Sequence, residues 1–563
     1  MRRLIGQAAW RFGRVLHALA TLALGAALIA MLAVGGVAWR LSQGPINVDW
    51  LARRLDAALS AGPGSRLSIG SAALAWEGWR HGVDRPLDIR LTELAISNAS
   101  GATLAQIPRA ELSLSFGWLL LGRIVPRAIE IDGAHLRVLR AEDGSLALDL
   151  GAAPTVADNG LEAQDATPLN GLLAEMSRAP LDDRGDSGPS PRWRQLRRLH
   201  ITRADVVVID RNLGKSWHAP KADLDLRRHR RGGLDAHVEL ALTLGEQTVQ
   251  LSGDAAVPPG GGGATADVRF LPLDPAGLAR AVPKLAPLGM LDAPIRGTIH
   301  LDLDLNPRLA WRHAVLQANI GPGVARIAQG AVPILGARVE LEGDPGHANL
   351  RLSELNLAGR DGAGPVVRAR SDAHREGSQV AATLEADVDR VPIPDLARYW
   401  PADVARWARK WVTDNVTAGT ARAGHVELGL QAAEDGSDLA LTAASGHVSG
   451  DDLTVHWLRP VPPVEHVKAE LTLLSPDALV IKTEGGREAG TTQGGIVARG
   501  GSIKVTGLSR KDQVGDIDID VAGPVPEALA LLRHPRLHLL DRFPIELHSP
   551  AGQATAKLVV SIP

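Results

Sequence analysis

Residues 295–305 read Ile-Arg-Gly-Thr-Ile-His-Leu-Asp-Leu-Asp-Leu, apolar or glycine at every odd position and polar at every even one. Successive side chains of a strand point to opposite faces, so this segment makes a strand with one apolar and one wet face. The pattern recurs. Ala236, Val238, Leu240, Leu242 and Leu244 share one parity, with His237, Glu239, Ala241 and Thr243 on the other. Val339 and Leu341, then Leu350, Leu352, Leu355 and Leu357, then Val426, Leu428 and Leu430 continue it, as do Ile503 and Val505 and residues 517–521. Turn signals come every ten to twenty residues, which predicts antiparallel meanders rather than βαβ units.

The chain has 563 residues, more than one ordinary core accommodates, so several domains or one elongated repetitive architecture is expected. Its 45% hydrophobic content excludes global disorder, and a formal net charge of -2 gives no reason to expect a nucleic-acid partner. With no cysteine there are no disulfides, thiolate metal sites or cysteine nucleophiles, which fits an oxidising compartment. Aromatic residues are only 3%, so the apolar mass is Leu, Val, Ala and Ile, suited to long aliphatic surfaces.

Residues 18–39 form an uncharged stretch of about 22 residues, roughly 33 Å as a helix and enough to span a bilayer core. Arg2, Arg3, Arg11 and Arg14 precede it and Arg40 follows. The positive-inside rule then keeps residues 1–17 in the cytoplasm and sends the rest across the membrane. We read an uncleaved anchor; the rival is a signal peptide cut after Ala33-Val34-Gly35. Residues 46–60 carry Ile46, Trp50, Leu51, Leu55, Ala58 and Leu59 at helical spacing before Ala61-Gly62-Pro63-Gly64 stops the helix.

Four strand patterns follow, at 67–79, 87–97, 110–116 and 128–138, with a hairpin-type Asp143-Gly144 turn after Arg140. Residues 151–192 are rich in Ala, Asp, Gly, Ser and Pro and read as a linker, with a helical turn or two near 169–176. From 193 to 563 strands resume, Pro258-Pro259 with the glycines after them marking a turn. One helix is predicted over 394–416, where Trp400, Val404, Trp407 and Trp411 make a stripe that reads as core packing, or else as a gate or lipid contact. A second short helix lies near 526–532. Arg227-Arg228-His229-Arg230-Arg231 reads as solvated turn charges.

The expected fold is therefore mainly β: an N-terminal transmembrane helix, then an elongated, curled antiparallel sheet with few helices. A sheet of about twenty strands would extend roughly 95 Å. Few helices are available to cover its apolar face, and such a surface makes sense if lipid tails fill it. The candidate groove residues are Leu240, Leu242, Ile299, Leu301, Leu303, Val339, Leu341, Leu352, Leu428 and Leu430.

The order of anchor, amphipathic helix and Ile69-Gly70-Ser71-Ala72-Ala73-Leu74-Ala75-Trp76 resembles the N-terminal region of the AsmA-like superfamily, especially its YhdP branch. So do the segments at 110–116 and 122–131, the Glu142-Asp143-Gly144-Ser145-Leu146 turn, and residues 201–210 followed by Trp217. Tyr399-Trp400-Pro401 with Trp407 and Trp411 is similar to that branch's middle block. The resemblance implies a repeating β-groove protein of the Gram-negative inner membrane, residues 46–150 forming the start of the groove, the bulk facing the periplasm. It implies phospholipid transport toward the outer membrane and no catalytic residues. This chain is shorter than typical YhdP-like members and closes on a strand pattern at 558–563, so it reads as a truncated or split form, or one whose groove another polypeptide continues.

No catalytic constellation competes. The 18 histidines include no HExxH or His-x-His spacing, and His534 and His538 flank a proline. His229, His237 and His300 fall on polar faces or turns, Asp302 and Asp304 share such a face, and His200 stands alone. No nucleophile elbow, P-loop or dinucleotide fingerprint occurs. No cofactor or metal is expected. The expected partners are phospholipid acyl chains, the inner membrane and an envelope protein, and the alternative function is a structural or assembly factor acting through exposed strand edges.

Overall fold

The computed structural model describes short pieces between residues 35 and 48, the stretches 65–76, 87–98, 103–114, 126–141, 146–149, 167–168, 176–178 and 196–211, and most of 213–562. Left outside are 246, 306–309, 328–329, 403, 434–437, 490–494, 509–512 and 536–548. Most of the anchor expected at 18–39 and most of the linker at 151–192 therefore lie outside the described residues. Among those residues no helix is long and apolar enough to cross a membrane.

The protein is mainly β, with few helices. The first strands are β1 (Ile46–Asn47), β2 (Ser65–Trp76), β3 (Leu87–Asn98), β4 (Thr103–Leu114), β5 (Pro126–Asp132), β6 (His135–Arg140), β7 (Leu146–Asp149) and β8 (Thr167–Pro168). Next come β9 (Arg198–Asp210), β10 (Lys215–Arg228), β11 (Leu234–Leu244), β12 (Gln247–Val257), β13 (Gly263–Leu273), β14 (Leu291–Asp292), β15 (Ile295–Asp304), β16 (Ala310–Ile320) and β17 (Gly323–Ile327). They are followed by β18 (Gly330–Gly343), β19 (His347–Gly359), β20 (Gly362–Glu376), β21 (Gln379–Pro392), β22 (Val416–Ala433), β23 (Ala440–Val455) and β24 (Val464–Ser475). The last are β25 (Ala478–Glu484), β26 (Arg487–Glu488), β27 (Val497–Thr506), β28 (Val514–Pro524) and β29 (Gln553–Ile562). The chain divides into two compact units: Met1–Thr243 with Leu251–Thr265 and Asp304–Ala310, and Leu244–Gln250 with Ala266–Leu303 and Trp311–Pro563.

In the first unit β1 to β5 form an antiparallel ladder, and β9, β10 and β11 form another. The two are joined by parallel pairing, which corrects the expectation of a purely antiparallel sheet. The amino-terminal part of β9 lies parallel to β5, and its remainder lies parallel to β6. A parallel neighbour needs a long return connection, and residues 141–197 supply it. The single strand expected at 128–138 is broken in two because Gly133, at φ 73°, turns the backbone between β5 and β6. Strands β6 and β7 pair antiparallel, Arg140 opposite Leu146, and the Asp143-Gly144 turn expected between them lies outside the described residues.

The amphipathic helix expected to begin at Ile46 is also corrected at its start. Ile46 and Asn47 form a short edge strand opposite Leu74 and Ala73, and Val48 donates to the Ala72 carbonyl at 2.8 Å. The unpaired edge of β2 offers those partners to the backbone, and helical spacing in the side chains does not outweigh them. Residues 49–64 lie outside the described residues. A core of Ala72, Ile89, Leu91, Leu94 and Ala110 holds this end, and a second gathers Ala134, Ile201, Ala204 and Ala222.

In the second unit β16 and β17 both pair with β18, and from β18 each strand pairs antiparallel with the next through β25. The ladder then runs β25, β27, β28, β29. Tight turns set the register: Glu376 pairs with Gln379 across Gly377-Ser378, with Gly377 at φ 65°.

Helices are peripheral. The sequence reading missed α1 (Pro275–Ala281), which is signalled by Asp274-Pro275: the Asp274 carboxylate accepts from Ala276 and Gly277 N–H, both at 3.0 Å, and proline opens the helix. Gln247 clasps the Asp274 backbone from both sides. The helix expected over 394–416 is split into α2 (Leu396–Tyr399) and α3 (Arg406–Asn415). Pro401 and a left-handed Ala405 (φ 46°) interrupt it, and Arg409 bridges the break by donating to the carbonyls of Trp400 and Ala397. A final helix, α4 (Val525–Leu532), meets the expectation near 526–532.

Candidate lipid-binding face

Cross-strand register in the second unit places Ala318, Val339, Leu352, Ala369, Ala386, Val426, Gly446, Leu473, Leu479, Val505 and Gly515 opposite one another in turn. Every member is apolar or glycine. The row crosses eleven strands, about 48 Å at the usual strand spacing.

Two residues to one side lies a second row, Leu316, Leu341, Leu350, Ser371, Leu384, Leu428 and Ala444, with a single hydroxyl. Beyond it stands a third: Ala314, Gly343, Ala348, Ala373, Ala382, Leu430 and Leu441. On the other side Ile320, Ala337, Leu355, Val367, Val388 and Gly424 are in register, and Val448, Leu471, Ile481, Ile503, Ile517 and Val560 form a matching run. The Val448 side chain meets the space above Gly424, so the two runs adjoin.

Most residues of intervening parity are polar. Gln317, Glu340, Arg351, Arg370, Glu385, Glu427 and Ser445 make one such row, in which Arg370 pairs with Glu385. Farther along the same face His425 holds Asp387 at 2.8 Å and stacks near His447, ring centroids 5.4 Å apart. The sheet of this unit thus has one aliphatic and one ionic face.

The aliphatic face is incompletely covered. Most members of its rows are half-buried, and Leu341 (38%), Leu350 (36%) and Leu441 (50%) are exposed. Packed sheets normally bury this face against a second sheet or a helix layer. Among the described residues the helices of this unit touch the sheet at its margins, α1 against β14, α3 against β22 and α4 against β28 and β29. A conventional core exists only locally, where Ala293, Val332, Ile334 and Leu357 pack with Tyr399 and their neighbours.

The residues singled out from sequence fall unevenly on this geometry. Val339 and Leu352 face each other in the first row, Leu341 and Leu428 share the second, and Leu430 is in the third. Ile299, Leu301 and Leu303 lie half-buried along β15. Leu240 and Leu242 are on β11; Leu240 pairs with Ala222 and packs on the second core of the first unit. Missed were Leu316, Leu384, Leu473 and Leu479, along with the alanines of β20 and β21. Alanine barely marks a face in sequence, and only pairing brings these residues into line.

The tryptophan stripe does not form a core. Trp400 sits in the break between α2 and α3 and donates its indole N–H to the Val404 carbonyl at 2.7 Å. Trp407 and Trp411 are exposed, at 54% and 48%, and the Arg406 guanidinium lies 4.7 Å from the Trp407 ring centroid. Once the helix breaks at Ala405, the stripe can no longer turn as one face toward the sheet.

Histidines on the polar face carry carboxylate partners that the sequence did not reveal. Asp254 and Glu239 flank His237, and Asp267 binds His300 at 2.8 Å; both imidazoles are pushed above their usual range, chiefly by the hydrogen bond to the aspartate. Asp302 lies between His300 and His313 at 3.7 and 3.6 Å. Among the described residues no group of three or more His, Asp and Glu is placed to hold a metal ion.

Arg228 departs from the solvated reading given to its run. It is 6% exposed and donates to the Arg178 carbonyl at 3.0 Å, because its position in β10 is the continuation of the apolar parity of Leu224 and Leu226. These features define a β-sheet protein with a broad, partly uncovered aliphatic face. Comparisons with family models, curated proteins and solved structures returned no match.

Proposed function

We propose that this chain is a non-enzymatic lipid carrier of the Gram-negative envelope. It is held in the inner membrane by residues 18–39 and moves phospholipid between the inner and outer membranes, as its resemblance to the YhdP branch of AsmA-like proteins implies. The observation that supports this most is the continuous aliphatic row from Ala318 to Gly515, flanked by further apolar rows. Soluble monomers rarely expose aliphatic patches larger than a few hundred Å², and acyl chains are the occupant that matches this aliphatic, aromatic-poor lining. Phosphate headgroups stay hydrated while the tails lie along the rows. The carrier performs no covalent step, so direction must come from outside it.

Photo-crosslinking in cells tests this reading. A crosslinker replacing Leu341 or Leu430 should capture phospholipid, and one replacing Glu340 or Arg351 on the opposite face should not. Capture only of protein at Leu341 and Leu430 would favour an envelope assembly factor and overturn lipid carriage.

A further inference from the structure

The broken helix at 394–416 has two sides with different surroundings. It connects the end of β21 at Pro392 to the start of β22 at Val416, so it lies at one strand-end margin of the second unit's sheet. On its inner side Tyr399 of α2 joins the local core against which Leu355 and Val367, members of the apolar rows, also pack. Its hydroxyl donates to the Ala358 carbonyl at 3.0 Å. The far end of α3 is tied to the connection between β23 and β24. There the Asn415 carbonyl accepts from His456 N–H at 2.7 Å, and the Asp414 carbonyl from the Arg459 guanidinium at 2.9 Å. The segment is thus seated where the aliphatic rows end.

The outer side is aromatic. Trp407 and Trp411, four residues apart, share one side of α3, and both are exposed. Val404 just before the helix and Trp457 on the tied connection are exposed as well. Ala408 and Val412, on the inner side, are half-buried. Packing within this unit accounts for those two and leaves the tryptophans unexplained, in a chain with only 3% aromatic residues. An indole has an apolar body and one N–H donor, which suits the headgroup level of a bilayer, apolar on one side and wet on the other.

The other exposed residues of α3 are Arg406, Lys410 and Asp414. Arg406 lies over the Trp407 ring, and Lys410 holds Asp414 at 2.7 Å. Of the acidic residues on neighbouring segments, Asp395 is bound by Arg360, Asp451 by Arg422 and Asp452 by His466, while Asp403 lies outside the described residues. Two cations to one carboxylate on the outer side of α3 complement an anionic bilayer surface, an attraction secondary to insertion of the rings. A protein partner could also bury indoles. Position at the end of the aliphatic rows favours the bilayer, because a lipid entering or leaving those rows needs one beside them.

We propose that this edge docks on a bilayer surface, with Trp407, Trp411 and Trp457 inserted at headgroup level, a contact additional to the span proposed at 18–39. Use of the edge to load or deliver lipid rests on the carrier function proposed above; the bilayer contact itself does not.

The chain has no cysteine, so a single one can be introduced and labelled. The full chain with Lys410→Cys carrying an environment-sensitive fluorophore is reconstituted in vesicles of phosphatidylethanolamine and phosphatidylglycerol that contain a headgroup-nitroxide lipid. The expected result is quenching severalfold stronger than for the same label at Glu340→Cys on the polar face. Trp407→Ser/Trp411→Ser/Trp457→Ser should lower it to the Glu340 level, with a melting curve matching that of the labelled parent. If the triple variant melts early, Trp411→Ser alone should still give a partial loss. The docking surface is refuted if the Lys410 label is quenched no more than the Glu340 label, or if quenching survives removal of the tryptophans. Capture of protein and not lipid by a photo-crosslinker replacing Trp411 in cells would assign the edge to a protein partner and equally overturn it. Failure of the carrier reading would look different: quenching at 410 would persist while crosslinkers at Leu341 captured no lipid.

Discussion

Arg198 on β9 grips Asp225 on β10 through two parallel bonds, Nε to Oδ1 at 2.8 Å and Nη2 to Oδ2 at 3.1 Å. Arg227 binds the same carboxylate at 2.7 Å. The hydrogen bond from Arg198 is the main cause of an Asp225 pKa lowered to about 2. Asp225 thus neutralises two arginines while stitching two strands together.

Replacing this carboxylate should therefore destabilise the first unit. Asp225→Asn is expected to cost about 2 kcal/mol at pH 7, the range for breaking a partly buried, charge-assisted pair. Because the folded pKa lies below the ordinary 3.8, the ionic contribution is fully present above that value and is lost as pH falls through about 2. Urea denaturation should show the gap between wild type and variant closing across that window.

A charge in the second apolar row should block lipid without unfolding the sheet. Leu341 is already 38% exposed, so Leu341→Asp is expected to change stability by about 1 kcal/mol or less, in keeping with exposed sites. Lipid retained through gentle purification, measured by mass spectrometry, should fall severalfold. Glu340→Gln, one residue away on the polar face, should retain lipid at the wild-type level.

The histidine pairs predict a pH response of opposite sign. His300 is raised above 6.5 chiefly by its bond to Asp267, so its contribution is complete below 6.5 and fades as pH rises through the higher folded value. Histidine proton resonances should titrate above the usual range in wild type. In Asp267→Asn the His300 titration should move down toward 6.5; an unchanged midpoint would remove Asp267 as the cause.

Gly297 lies within the alternating segment at 295–305, and its lack of a side chain is structural. A Cβ there would collide with the Gln317 carbonyl oxygen and stand 3.0 Å from the Phe270 ring. Backbone cannot yield cheaply, so Gly297→Val should destabilise the second unit by about 2 kcal/mol or more. The check is the midpoint of chemical denaturation, with Thr298→Val next to it as the mild control.

How far the fold could be read in advance depended on the range of the interactions. The alternation in β11, β15 and β18 is local and shows directly in the residues. The Glu376-Gly377-Ser378-Gln379 turn brings neighbouring strands together over a few residues, so long hairpins are also legible. The break in 394–416 is only half legible: Pro401 marks it, but no side chain announces the left-handed Ala405. The burial of Arg228 is not legible either, because its neighbours in sequence are charged while strand parity puts it at the end of an apolar row.

By itself, the sequence determined that most strands would have an aliphatic and a polar face, since that property repeats every two residues. It also supplied the resemblance and the apolar stretch at 18–39 on which the proposed carrier role relies. Only tertiary structure decided that Val339, Leu352, Ala369 and Val426 stand in one row, and that β9 enters parallel to β5 and β6. Those outcomes are set by pairings between residues far apart in the chain, where a shift of one residue would turn every side chain to the opposite face.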